Sequence, residues 1–114
     1  MIAYIFATIL ASHVHPAPTF RDRRVGMAGI PESAAEYARD ARSCGFKVVM
    51  RRLRGDDLSE GPNGFEPGAQ VVLFDKPYDR ADPRAACFLK ARKRSWIKSN
   101  HLHFPLPPEF RNIP

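Results

Sequence analysis

Short hydrophobic runs alternate with turn residues and prolines along the chain, and their lengths suit β-strands. Ile2–Leu10 carries no charge and is rich in β-branched and aromatic residues, which predicts a buried strand. Phe46–Leu53 predicts another strand, and Val71–Phe74 is a continuous apolar run typical of a strand covered on both faces. Val25–Ile30 is a shorter candidate that ends in a glycine turn. These segments predict three or four strands.

A first helix is predicted to begin at Pro31. Proline suits the first helical position, Ser33 and Glu36 have the spacing of a capping box, and Gly45 suits the C-terminal stop. Because alanine side chains are small, an alanine-rich face predicts a helix that lies close against a sheet. That face carries residues at spacings of three and four, namely Ala34, Tyr37, Ala38, Ala41 and Cys44.

A second helix is predicted to begin at Asp82 and Pro83 and to run from Arg84 to about Ser95. Alternation of strands and helices predicts an α/β fold, a small single-domain sandwich with three to four strands in a mixed or parallel sheet and two helices. An α+β fold with an antiparallel strand pair is the alternative. The length of 114 residues allows one domain, placed at residues 1–103, with a proline-rich extended tail at 104–114.

The N-terminus and the two cysteines bear on the compartment. A signal peptide carries a positive charge before its apolar stretch, but no Lys or Arg precedes Arg21. The apolar start is also shorter than the roughly 20 residues that span a bilayer. We therefore expect a cytoplasmic protein without a membrane partner. Cys44 and Cys87 are then expected to be reduced, buried thiols that act as small hydrophobic residues, with a reactive thiol as the alternative.

The formal net charge of +6 hides a polarised distribution along the chain. Residues 21–54 carry nine basic and four acidic side chains, residues 55–79 one basic and six acidic, and residues 80–114 eight basic and two acidic. Thirteen of the 18 basic residues are arginine, which favours bidentate pairing with phosphate or carboxylate groups. The composition therefore indicates an acidic or polyanionic partner.

The segment from Lys90 to Lys98 places five positive charges around one tryptophan. A basic cluster with an exposed aromatic ring suits phosphate neutralisation combined with stacking on a base. The alternative is a solvated helix end, whose cations complement the helix dipole. We predict two groups of polyanion-binding residues, the first comprising Arg92, Lys93, Arg94, Trp96 and Lys98, and the second Arg51, Arg52 and Arg54.

Gly26 and Gly29 lie between a candidate strand and the first predicted helix. A glycine turn at a helix N-terminus offers backbone N–H groups to a phosphate, and this segment resembles the first turn of Rossmann-like nucleotide binders. The complete G-x-G-x-x-G spacing is absent, and Pro31 removes one donor. An ordinary tight turn is therefore the alternative to a phosphate site.

All four histidines occur in two His-x-His pairs, His13 with His15 and His101 with His103. On an extended segment, residues two apart share a face, so each pair would present two imidazoles to one metal ion such as zinc. Ile9–Pro16 resembles the strand-end His-x-His of metal-dependent amidohydrolases, whose barrel needs a longer chain, and no activity is carried over. Surface histidines in proline-flanked segments are the alternative.

A nucleophile, a base and an orienting group cannot be assembled from this pattern, so no catalytic residue and no cofactor is assigned. The leading hypothesis is a small basic binding module for a polyanionic partner, most simply nucleic acid. A second hypothesis is a protein-interaction or inhibitor domain, of the phage or mobile-element type, that docks on a larger protein through its charged patches. A third is a minimal nucleotide or phosphate-ester enzyme that uses Gly26, Gly29 and one histidine pair.

Overall fold

Three strands and two α-helices make up the part of the protein that the structure describes. This structure is a computed structural model, and it describes residues 19–59, 65–100 and 105–114. The elements, in chain order, are β1 (Val25–Gly29), α1 (Pro31–Ser43), β2 (Val48–Arg52), β3 (Gln70–Phe74), α2 (Pro83–Asn100) and a 3-10 helix (Pro108–Phe110). The predicted strand Ile2–Leu10 lies outside the described residues.

The sheet has the order β1-β3-β2, and β3 is antiparallel to both neighbours. Leu73 of β3, for example, is paired with Val25 on one side and Val49 on the other. β1 and β2, connected by α1, therefore run parallel to each other but are separated by β3. The predicted mixed or parallel pairing is not found among the described strands, and the antiparallel sheet matches the α+β alternative. The described residues between β2 and β3 contain no helix, whereas a parallel neighbour is usually reached through a crossover helix.

The core lies between the sheet and α1. Ala34, Ala38 and Ala41 of α1 are fully buried, as the alanine-rich face predicts, and they allow the helix to approach the sheet closely. Beside them, aromatic rings meet edge to face, with Phe46 5.1 Å from Phe74 and Tyr37 5.0 Å from Phe88 between ring centroids. Helix α2 joins this cluster through Phe88 and packs mainly against α1.

Gly45 ends α1 in the way the sequence predicts. Its φ of +92° is in the left-handed region that favours glycine. The amide N–H of Gly45 donates to the carbonyl of Arg42 at 3.0 Å, and the amide N–H of Phe46 donates to the carbonyl of Ala41 at 3.1 Å. These two hydrogen bonds form a Schellman motif, which directs the chain from α1 back into β2.

The two helix starts use different capping. Asp82 caps α2, because its Oδ1 accepts the backbone N–H of Arg84 at 2.9 Å. Helix α1 begins at Pro31 as predicted, but its N-cap is Ile30, and no side chain caps it, so the predicted capping box does not form. Glu36 points instead toward α2, as described below. Helix α2 also continues to Asn100, five residues beyond its predicted end.

Strand β2 is an edge of the described sheet, and its outward side is partly occupied by arginine. Lys47 and Leu53 bond to the β3 side through Asp75 and Ala69, so alternation turns the carbonyls of Val48 and Arg52 outward. The carbonyl of Val48 accepts an N–H from Arg42 at 3.0 Å, and that of Arg52 accepts one from Arg51 at 3.1 Å. Two outward carbonyls of this edge are therefore already hydrogen-bonded.

The cysteines form a disulfide, so the expectation of two reduced, buried thiols is wrong. Cys44 is the C-cap residue of α1 and Cys87 lies in α2, with their Cα atoms 5.7 Å apart. The helices pack in opposite directions, which brings the end of α1 beside the early part of α2. Cys87 is exposed rather than buried.

Among the described residues, neither helix has the length and apolar character needed to cross a bilayer. This finding concerns the helices alone.

Gly26 provides a test of the core packing, because a Cβ there would lie 2.5 Å from the Phe74 ring and 2.7 Å from the Tyr37 hydroxyl. We expect Gly26→Ala to lower the free energy of unfolding by roughly 1–3 kcal/mol through overpacking. Gly55→Ala is the matched control, since a Cβ at Gly55 meets nothing within 4 Å. Urea unfolding of both variants measures the difference, and equal stability of the two would contradict the described packing.

Candidate functional site

A network of charged and hydroxyl side chains connects α1 to α2. Asp40 of α1 is buried, and its Oδ2 accepts hydrogen bonds from Arg92 Nη1 at 2.8 Å and from Ser95 Oγ at 2.7 Å. Arg92 also donates to Glu36 Oε1 at 3.3 Å, and Ser99 Oγ donates to Glu36 Oε2 at the same distance. Glu36, near the start of α1, reaches Ser99 near the end of α2, whereas Asp40, further along α1, contacts the earlier Ser95. The two helices are therefore antiparallel.

Arg92 is engaged on three sides. Besides its two carboxylate partners, its guanidinium carbon lies 5.1 Å from the centroid of the Tyr37 ring. Burial raises the pKa of the Tyr37 phenol to about 12, so this ring stays neutral at physiological pH. Arg92, which the sequence placed in the polyanion-binding group, therefore contributes to helix packing. Its neighbour Lys93 is also engaged, because its ammonium donates to the backbone carbonyl of Ile113.

Above this network lies an open cleft of about 380 Å³ between the two helices. Its acidic residues are Glu36 and Asp40, both bound to Arg92. Its basic residues Arg39, Arg94 and Lys98 are exposed, and they form no salt bridge or hydrogen bond with any part of the described chain. The full lining comprises Glu36, Arg39, Asp40, Ser43, Ala91, Arg94, Ser95, Lys98 and Ser99.

Exposed cations continue along α2 beyond the cleft. Lys90, Arg94 and Lys98 are four residues apart and therefore follow one face, each about 6 Å further along the helix axis. Together with Arg39 they are called the cationic face below. Helix geometry sets the spacing on α2, and the antiparallel packing of the helices places Arg39 across the cleft.

Trp96 does not belong to the cationic face. It is half-buried, and it is absent from the cleft lining, which contains no aromatic side chain. The predicted pairing of a basic cluster with a base-stacking ring is therefore not assembled at the cleft.

The second predicted group is partly neutralised. Arg51 forms two hydrogen bonds to the buried carboxylate of Asp57, at 2.9 and 2.6 Å, and the backbone N–H of Arg54 adds a third at 2.6 Å. These contacts hold the pKa of the Asp57 carboxyl below its usual range, with the Arg51 side chain as the largest cause. The side chains of Arg52 and Arg54 remain exposed.

The glycine segment is not a turn. Gly26 and Gly29 lie within β1, where Gly26 has the packing role described above, and only Ile30 separates the strand from α1. The four histidines, His13, His15, His101 and His103, lie outside the described residues. Within the described residues, no group of three or more His, Cys, Asp or Glu side chains is placed to hold a metal ion.

Sequence reasoning missed two members of the cationic face. Lys90 had a readable signal, since it continues the four-residue spacing of Arg94 and Lys98. Arg39 had none, because its proximity to α2 depends on how the two helices pack.

Comparisons with protein-family models, with curated proteins and with solved structures give no match. The chemistry of the described residues therefore carries the functional proposal.

The Arg51–Asp57 pair gives a pH-dependent test. We expect Asp57→Asn to lower the free energy of unfolding by about 2 kcal/mol at neutral pH, because it weakens charge-assisted hydrogen bonds to a buried group. The folded pKa of Asp57 is depressed, so its stabilising effect is complete above the ordinary value of 3.8 and is lost as pH falls through the folded value.

The difference between the wild type and Asp57→Asn should therefore stay constant down to about pH 5 and shrink in stronger acid. Exposed Asp56 provides the control, since Asp56→Asn makes the same charge change one residue away. Equal effects of the two variants at neutral pH would argue against a specific role for Asp57.

Proposed function

We propose that the protein is a small binding module for a polyanion, with the phosphate backbone of nucleic acid as its target. The observation that carries this proposal is the cationic face, four exposed basic side chains without an acidic partner in the described chain. Other arginines are neutralised by an aspartate two residues earlier in the chain. Arg24 pairs with Asp22 and Arg84 with Asp82, each with 2.6 Å between Nη2 and Oδ2. We assign no catalytic activity and no cofactor.

The chemistry of the face favours backbone contacts over base recognition. Arginine and lysine neutralise phosphates, and such contacts carry no direct sequence information. The cleft offers no aromatic platform, and its hydroxyls are occupied, with Ser43 donating to the Asp40 carbonyl and Ser95 to the Asp40 carboxylate. The expected binding is therefore insensitive to sequence and strongly dependent on salt.

The number of phosphate contacts sets how strongly the affinity for DNA depends on salt. Each phosphate contact changes the slope of log K against log salt by about −0.9, so four cations predict a slope of roughly −3 to −4 for a DNA duplex. Affinity at physiological salt is expected in the range of about 10⁻⁴ to 10⁻⁶ M, as for other non-specific binders.

Charge reversal tests the proposal. The triple variant Arg39→Glu, Arg94→Glu, Lys98→Glu should bind a labelled DNA duplex at least about tenfold more weakly at low salt, with a shallower salt slope, as fluorescence anisotropy measures. The control is Lys76→Glu, Arg80→Glu, Arg111→Glu, which changes the net charge equally at exposed positions outside the cleft. Circular dichroism verifies that both variants are folded.

Two outcomes would overturn the proposal. One is the absence of DNA binding by the wild type even at low salt, and the other is an equal loss of binding in the two triple variants. Equal losses would show that net charge alone, and not the cationic face, determines affinity.

An acidic protein surface is the second candidate partner, because carboxylates pair with exposed arginines as phosphates do. Such a partner corresponds to the protein-interaction hypothesis. Binding of the wild type to an acidic polypeptide but not to nucleic acid would favour that hypothesis. Cytoplasmic location stays a prediction, and the Cys44–Cys87 disulfide argues against it, because such bonds persist mainly in oxidising compartments.

A further inference from the structure

The disulfide and the cationic face share the same pair of helices. Cys44 and Cys87 join the end of α1 to the early part of α2, next to Ser43 and one turn before Ala91, both of which line the cleft. Arg39 belongs to α1, while Arg94 and Lys98 belong to α2. The spacing of these cations across the cleft therefore depends on the bond that joins the helices.

The buried attachment of helix α2 to the core is concentrated in its first half. Its buried residues are Ala85, Phe88 and Ala91, all in its first half, and only Phe88 is large. From Arg92 onward the described contacts to α1 include the hydrogen bonds with Glu36 and Asp40 and the contact of the Arg92 guanidinium with the Tyr37 ring. Asp40 is buried, but Glu36 and Arg92 keep contact with solvent. The disulfide therefore adds a covalent restraint to a helix pair that polar contacts hold in this half.

The disulfide is also accessible to a reductant. Cys87 is exposed, whereas Cys44 is half-buried beside the hydroxyl of Ser43, whose Oγ lies 3.8 Å from Cys44 Sγ. An attacking thiolate therefore reaches the sulfur of Cys87 more readily than that of Cys44.

We infer that the Cys44–Cys87 disulfide is a redox switch that controls polyanion binding, and this inference rests on the proposed function. The reductant is a dithiol. One of its thiolates attacks Cys87 Sγ, the S–S bond breaks, and Cys44 leaves as a thiolate that takes up a proton. The second thiol of the reductant, as its thiolate, then attacks the mixed disulfide and releases Cys87 as a thiolate, which also gains a proton. Two electrons reduce the protein, and the dithiol becomes a cyclic disulfide.

Reduction then lets α2 move away from α1, so that Arg94 and Lys98 no longer face Arg39 at a fixed spacing. Apparent affinity falls in proportion to the fraction of molecules that keep the helices docked. A docked fraction of about one tenth weakens binding about tenfold. In the reverse exchange the cyclic disulfide takes up two electrons and two protons and becomes the dithiol again, while the Cys44–Cys87 bond re-forms and restores the cleft and the affinity.

The predicted release of α2 on reduction is tested without nucleic acid. Hydrogen exchange of the oxidised and dithiothreitol-reduced protein should show faster exchange in residues 92–100 of α2 after reduction, with β2 and β3 unchanged. Unchanged exchange in α2 would overturn the inference. So would a general loss of protection in the sheet, since this would mean global unfolding rather than release of one helix.

The binding half compares oxidised protein, reduced protein and the double variant Cys44→Ser, Cys87→Ser on one labelled DNA duplex at constant salt. The reduced protein and the double variant should both bind about tenfold more weakly than the oxidised protein. Protein whose two sulfurs are joined by a methylene bridge, which dithiothreitol does not cleave, is the matched control and should keep the oxidised affinity in reductant.

The outcomes separate the two proposals. If the oxidised protein binds no DNA at low salt, the proposed function fails. If oxidised and reduced protein bind equally, the redox inference alone fails. Loss of affinity by the methylene-bridged protein on adding dithiothreitol would also overturn the inference, because the reductant would then act elsewhere.

Discussion

Close contact between α1 and the sheet is the constraint on which the other features depend. The alanines at 34, 38 and 41 bring the helix axis near the strands, and the aromatic rings of Phe46, Phe74 and Phe88 fill the space beside it. Helix α1 packs on the sheet through its alanines, and α2 in turn packs against α1. The side of α1 that carries Glu36 and Asp40 faces α2. The cleft lies between α1 and α2 where these two helices pack against each other.

Local neutralisation decides which of the many basic side chains remain available. Asp22 binds Arg24 and Asp82 binds Arg84, each two residues along the chain, while Asp57 binds Arg51 across a loop. These pairs leave a charge pattern in space that differs from the pattern along the chain. A basic segment in the sequence is therefore a poor guide to a basic surface, because arginine pairs readily with carboxylates.

Features determined by neighbouring residues could be predicted from the sequence, and features determined by distant residues could not. The stop at Gly45 and the start at Asp82 depend on local backbone geometry and on capping, and both were predicted. The antiparallel position of β3 between β1 and β2, the Cys44–Cys87 bond and the engagement of Arg92 by Asp40 all depend on long-range packing. For the site, Arg94 and Lys98 were predicted, whereas Arg39 requires knowledge of the helix pair.

The guanidinium groups of Arg42 and Arg51 on the outer side of β2 have a consequence for self-association. An exposed strand edge is a template on which another chain can add a strand, and natural proteins block such edges to avoid aggregation. Here the carbonyls of Val48 and Arg52 already hold arginine donors. An incoming strand would have to displace both side chains from these carbonyls. Arg42 of α1 and Arg51 of β2 thus occupy two of the acceptor positions that an added strand would need along this edge of the described sheet.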